Sequence, residues 1–176
     1  KQVNAKGGVL GKQITLVVAD NKSDTAEAAN AMQKLATQDK VIASIAPIAS
    51  SSVMAAAQVN ESAKILGISP TASNPNVTVD PETGKVRDYL FRATFIDPFQ
   101  GAVMANFAKN TLKAQKAAVY IENSSDYAKG LGKFFKETFV QNGGNIVSDE
   151  AYLAKDTDFK ATLTKIKASN PDVIFV

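Results

Sequence analysis

Short apolar runs alternate with amphipathic stretches along the chain. Ile14–Ala19 is apolar and β-branched throughout and predicts a buried strand. Asp24-Thr25-Ala26-Glu27 follows with the form of a capping box, in which Asp24 accepts from first-turn amides and Glu27 reaches back. Ala28, Met32, Leu35 and Ala36 then recur at helical spacing. Val41–Ala46 predicts a second strand, a helix is expected from about Ser51 to Lys64, and Ile65–Ile68 predicts a short third strand. Ser69–Thr83 is dense in Pro, Ser, Thr and Asn and reads as loop.

A second set of elements succeeds this loop. Tyr89–Phe95 reads as extended. Asp97-Pro98 combines a helix-capping residue with Pro at the first helical position, and predicts a helix to about Thr111. Ala117–Glu122 predicts a strand. Ser125–Gln141 predicts a helix with Leu131, Phe134, Phe135 and Phe139 on one face, stopped by Gly143-Gly144. Ile146–Tyr152 predicts another strand, and Phe159, Leu163 and Ile166 mark a last helix before the strand-like Val173–Val176. Continuous apolar strands separated by helices predict parallel sheets covered on both faces. The break at 69–97 divides the chain into two α/β lobes, neither of them complete.

Composition narrows the possible functions. The hydrophobic fraction is 45%, normal for a chain with a real core. Charge is nearly balanced at +3, and every basic residue except Arg87 and Arg92 is a lysine on a scattered position. Such lysines solvate helix faces and form no patch for nucleic acid. Histidine and cysteine are both absent. Imidazole- and thiolate-dependent triads and the usual zinc sites are thereby excluded, no disulfide can form, and no metal or other cofactor is expected. Absence of Cys also suits an oxidising exterior. No apolar run approaches the roughly 18 residues of a membrane span, so the chain is not expected to cross one. Lys1 is not a start Met, and Val173–Val176 stops without a turn signal, so the chain reads as an excerpt of a longer one.

Ligands of open α/β sheets bind beyond the carboxyl ends of the strands, and three such ends carry suggestive residues. Pro47-Ile48-Ala49-Ser50-Ser51-Ser52 opens a helix, where hydroxyls and free amides suit a carboxylate; capping is the alternative role for the serines. Ser69-Pro70-Thr71-Ala72-Ser73-Asn74-Pro75 offers carbonyls and the Ser73 hydroxyl for an ammonium and amides for an acid, or forms an ordinary turn. Asn123-Ser124-Ser125-Asp126-Tyr127 puts an aromatic hydroxyl at the opening of the next helix, where a lone Tyr can equally serve packing. Other motifs fail. Gly7-Gly8-Val9-Leu10-Gly11-Lys12 resembles a phosphate loop, but Lys6 stands where its first Gly belongs and Gln13 where Ser or Thr is needed. Asp156 and Asp158 fit helix capping.

In order along the chain, Gly7-Gly8-Val9-Leu10-Gly11, Asp20-Asn21 with Ala26-Glu27-Ala28, Ile68-Ser69-Pro70 with Asn74-Pro75, Phe91-Arg92, Gln100-Gly101, Tyr127-Ala128-Lys129-Gly130-Leu131, Asp156-Thr157-Asp158-Phe159 and Pro171-Asp172-Val173 resemble the Leu/Ile/Val-binding receptors. These are type I periplasmic binding proteins of ABC transporters. The resemblance implies Rossmann-like three-layer lobes, with 1–95 as most of the first, lacking its initial strand, and 96–176 as the first part of the second. It implies two lobes that close on an amino acid like a hinged trap and deliver it to an ABC permease. By the same resemblance Ser50, with Ser51 nearby, binds the ligand carboxylate. Thr71, Ala72 and Ser73 supply backbone and hydroxyl contacts, and Tyr127 closes over the ligand. Thr71 stands where relatives often have Ala or Gly, and Ser73 where they have Thr, a change that keeps the hydroxyl. An acidic partner for the ligand ammonium is expected beyond Val176.

The implied location is extracytoplasmic, in the periplasm or on the cell surface as a lipoprotein. One competing reading is a ligand-sensing domain of the same fold in a regulator or surface receptor. Another is an α/β hydrolase acting through Ser50, which lacks a base to activate the hydroxyl. A binding protein rather than an enzyme is the expectation.

Overall fold

In the computed structural model, residues 1–176 build two parallel sheets, each of three strands. A single helical turn, α1 (Gln2–Ala5), opens the chain. The first sheet is ordered β1 (Ala43–Ile45), β2 (Leu66–Ser69), β3 (Leu90–Arg92), with Ile45 beside Ile68 and Ser69 beside Arg92. Helices α2 (Thr25–Thr37) and α3 (Ser50–Ala63) accompany it. Met32, Ala56 and Ile65 are buried together, while Val53, Ala57, Ala72, Val77 and Leu90 form a second cluster. Leu35 and Ala36 pack half-buried against the first of these, so the predicted α2 stripe faces the core.

The second sheet is ordered β5 (Asn145–Tyr152), β4 (Lys116–Glu122), β6 (Val173–Phe175). Helices α4 (Asp97–Asn106), α5 (Asp126–Gln141) and α6 (Lys160–Ala168) flank it. Its core stacks Phe135 on Phe139 at 5.5 Å and on Phe175 at 4.1 Å. Leu131, Phe135 and Phe139 are buried and Phe134 is half-buried, as the α5 stripe predicts. No helix is long and apolar enough to cross a membrane.

Several local expectations are corrected. Ile14–Ala19 belongs to no strand, and Leu16 and Val18 are 77% and 89% exposed. A strand exists only by pairing, and β1 pairs with β2 alone. Asp24 does cap α2, accepting from the Glu27 amide at 2.9 Å, but the Glu27 carboxylate faces Lys22 at 3.5 Å and closes no capping box. Asp97 is the first residue of α4 rather than its cap; Ile96 holds the cap position, and the helix passes at Phe107 into a wider π-type turn to Thr111. Leu163 is 46% exposed while Ile166 is buried, so α6 docks by a narrower face than its apolar spacing predicts.

Candidate functional site

The loops leaving β1 and β2 meet at the start of α3. Ala49, in extended conformation, is the N-cap of α3 and makes no side-chain cap. Ser50, Ser51 and Ser52 therefore lie inside the first turn and are not caps. Amides of a first turn have no intrahelical acceptor, and the helix dipole adds partial positive charge there.

Ser50 is 2% exposed, and its Oγ accepts from the Asn74 amide at 3.3 Å. That contact joins the serine run to the loop after β2 one residue beyond Ser73, itself 2% exposed. The half-buried Ser51 uses its Oγ to accept from the Asp126 amide at 3.2 Å, across to the opening of α5. A hydroxyl whose oxygen accepts from an N–H keeps its own O–H to donate. Ser50 and Ser51 are both in that state.

Within the loop, alternate amides are engaged. Ala72 donates its N–H to Ser69 Oγ at 3.0 Å and Asn74 donates to Ser50, whereas the amides of Thr71 and Ser73 donate to no group of the chain. The exposed Thr71 is oriented by its hydroxyl, which donates to the Ile48 carbonyl at 2.9 Å and so ties the two loops together. Buried Ala72 fills the cluster with Val53 and Leu90.

Arg92, at the end of β3, shapes this loop from behind. Its Nη1 donates to the Asn74 carbonyl at 2.8 Å and to Ala72 at 3.3 Å; its Nη2 donates to Pro75 at 3.2 Å and to Thr78 Oγ1 at 2.6 Å. A planar guanidinium presents five donors in a rigid fork spread over three nitrogens, where an ammonium has three on one atom. Asp97 lies behind the same loop, fully buried, with its amide donating to the Ser73 carbonyl at 2.9 Å. Burial pushes the Asp97 carboxyl above the ordinary carboxylate value, against the pull of the Ser73 hydroxyl and the Arg92 guanidinium. Neither Asp97 oxygen has a hydrogen-bond partner. Burial also lowers Arg92, with Asp97 opposing.

Tyr127 stands in the first turn of α5, 38% exposed, and its hydroxyl accepts from Gln100 Nε2 at 3.0 Å. It lines a hollow of about 260 Å³ with Ile121, Leu131, Tyr152 and Phe175, at the carboxyl ends of β4, β5 and β6. Ser50, Ser51, Ala72 and Ser73 are thus brought to one seam. Tyr127 stands beside it through Asp126, and Thr71 lies at its exposed edge. A larger groove of about 410 Å³ lies between α2, α3 and β1, lined by Ala19, Met32, Ile45, Ile48 and Ser52 but not by Ser50 or Ser73.

Sequence reasoning assigned no role to Asn74, Arg92 or Asp97. Arg92 carried a signal, as one of two arginines in a lysine-rich chain and at a predicted strand end. Asn74 and Asp97 resembled ordinary turn and cap residues.

Known proteins share this fold. The profile of a family described as periplasmic binding protein matches residues 1–176. An amino acid binding protein of Pseudomonas aeruginosa is 34% identical over 175 residues, covering 99% of this chain and 45% of that one. A leucine-specific-binding protein of Salmonella typhimurium is 30% identical, covering 99% and 46%. Among solved structures, the branched-chain amino acid transporter substrate binding protein LivJ of Streptococcus pneumoniae, in complex with isoleucine, is 44% identical with a TM-score of 0.87, covering 98% of this chain and 47% of that one. The leucine binding protein LivK of Thermotoga maritima is 37% identical with a TM-score of 0.90, over 98% and 47%. The chain spans about half the length of the relatives it matches.

Proposed function

The chain belongs to the periplasmic binding protein family, and on that premise we propose that it is the ligand-gripping part of an extracytoplasmic receptor for a branched-chain or related aliphatic amino acid. Residues 1–95 and 96–176 act as its two lobes. Ser50, Ser51 and the 71–73 loop hold the ligand carboxylate and ammonium, and Tyr127 covers the ligand from the second lobe. The loaded receptor delivers to an ABC permease, working free in the periplasm or tethered to the cell surface as a lipoprotein.

One observation carries this reading: hydrogen-bond donors converge without a formal charge. Ser50 and Ser51 accept from backbone N–H groups and keep their O–H groups for a ligand. The Thr71 and Ser73 amides are free beside them, at the dipole end of α3. A carboxylate is the anion such a set fits. Ser50 and Ser73 are only 2% exposed, so entry requires the seam between the lobes to part. That burial supports hinged closure. The partner of Ser50 Oγ is a donor and not a base, which argues against hydrolysis.

A thermal-shift screen of the protein as its gene encodes it, against the standard amino acids, tests the proposal. A ligand at a hundredfold over its Kd stabilises by about 2.7 kcal/mol. Leucine, isoleucine or valine is expected to give that shift. Ser50→Ala is expected to weaken binding about ten- to hundredfold, as loss of a charge-assisted hydrogen bond does. No shift with any aliphatic amino acid overturns the proposal.

A further inference from the structure

We propose that Asn74 is a positioning residue that ties the ligand loop of the first lobe to the first turn of α5, with Ser51 as a second arm on the same residue, Asp126. The purpose rests on the receptor reading above. The geometry and its test do not.

Asn74 is 7% exposed, and each of its polar groups is engaged on a different element. Its amide donates to Ser50 Oγ at 3.3 Å, and its carbonyl accepts from Arg92 at 2.8 Å. Its Oδ1 accepts from the Asn76 amide at 2.9 Å, and its Nδ2 donates to the Asp126 carbonyl at 2.8 Å. The amide of that same Asp126 donates to Ser51 at 3.2 Å. Both polar groups of the Asp126 backbone are therefore held by side chains of the first lobe.

Only a carboxamide meets this demand, because acceptor and donor must lie on one short side chain. Aspartate supplies no donor, and serine does not reach. Gly130, one turn further along α5, permits the approach: a Cβ there would lie 3.0 Å from Asn74 Nδ2 and 2.7 Å from Asp97 Oδ2. Tyr127 sits between the gripped peptide and this contact, so its placement over the ligand is set by the Asn74–Asp126 bond. The backbone of Asp126 transmits to Tyr127 any change in the loop that carries Ser73.

Two substitutions separate positioning from mere stability. Asn74→Asp is isosteric and still accepts from Asn76, but it sets a carboxylate against the Asp126 carbonyl. Asp126→Pro acts from the other lobe. It removes the N–H held by Ser51 at a first helical position that accepts Pro, behind an extended Ser125. The chain has no cysteine, so Gln33→Cys and Gln141→Cys place spin labels on α2 and α5 without interference. With no ligand added, the parent is expected to give a narrow interlobe distance distribution. Asn74→Asp and Asp126→Pro are each expected to shift it to longer, broader distances while the helical circular dichroism is kept.

If both variants fold and the distribution is unchanged, the proposal is overturned; if Asn74→Asp fails to fold, Asn74→Ser, which still accepts from Asn76 but does not reach Asp126, takes its place. Leucine titration of the parent separates the two readings. A distance shift with no binding of leucine or of any other aliphatic amino acid upholds Asn74 and removes the receptor reading, and the converse removes Asn74.

Discussion

Gly101 and Phe135 meet where α4 crosses α5, and nothing larger than hydrogen fits between them. A Cβ built at position 101 would lie 2.8 Å from the Phe135 amide nitrogen and 2.7 Å from the Phe134 Cβ. Helix backbone cannot give way as a flexible side chain can. Gly101→Ala is therefore expected to force the helices apart and to destabilise by about 1–3 kcal/mol. A urea midpoint that falls with an unchanged slope is the expected reading. An unchanged midpoint would mean that the crossing is looser than the structure shows.

Phe135 is 2% exposed and stacks on both Phe139 and Phe175. It links α5 to the last strand. Phe135→Ala is expected to cost about 3–5 kcal/mol, and Phe135→Leu distinctly less. The two denaturation curves compared check this.

Arg92→Lys keeps the charge but loses the fork that serves Ala72, Asn74, Pro75 and Thr78. Loss of such hydrogen bonds, with buried carbonyls left unpaired, is expected to cost about 1.5–3 kcal/mol. Hydrogen exchange should show the hydrogen-bonded amides of Asn74, Asn76 and Val77 opening first. Uniform loss of protection across the chain would speak against a local clamp.

Asp172, ahead of β6, accepts from the Gln115 and Lys116 amides at 2.7 and 2.8 Å. Those bonds, with Lys116 and Lys109 nearby, hold its carboxyl below the ordinary value despite some desolvation. A carboxyl whose folded pKa is depressed contributes stability above its unfolded value, about 3.9, that is lost as pH falls through the folded one. Asp172→Asn is expected to lower Tm at about pH 7, by a margin that shrinks as pH falls below the unfolded carboxyl value of about 3.9. A constant difference across that range would exclude the charged form as the cause.

Much of the fold was legible because its signals are local. The Leu131–Phe135–Phe139 stripe, the Gly143 stop with φ of 75°, and the continuous apolar strands need only near neighbours to be read. The site was half legible. Hydroxyls at strand ends marked Ser50 and Ser73, and the structure brings their loops to one seam. Asn74 and Asp97 were not legible, because Asn in a Pro-rich turn and Asp before Pro already have sufficient local explanations.

By itself, then, the sequence determined the order and type of the elements, the parallel α/β class and the loops that bear polar groups, since periodicity, capping and turn chemistry act over a few residues. Tertiary structure alone decided that Ile14–Ala19 is no strand and that Asn74 and Ser51 grip one residue, Asp126, 52 and 75 positions away. A strand requires a partner edge, and a buried amide requires a partner from another element. Neither partner is a property of the segment that needs it.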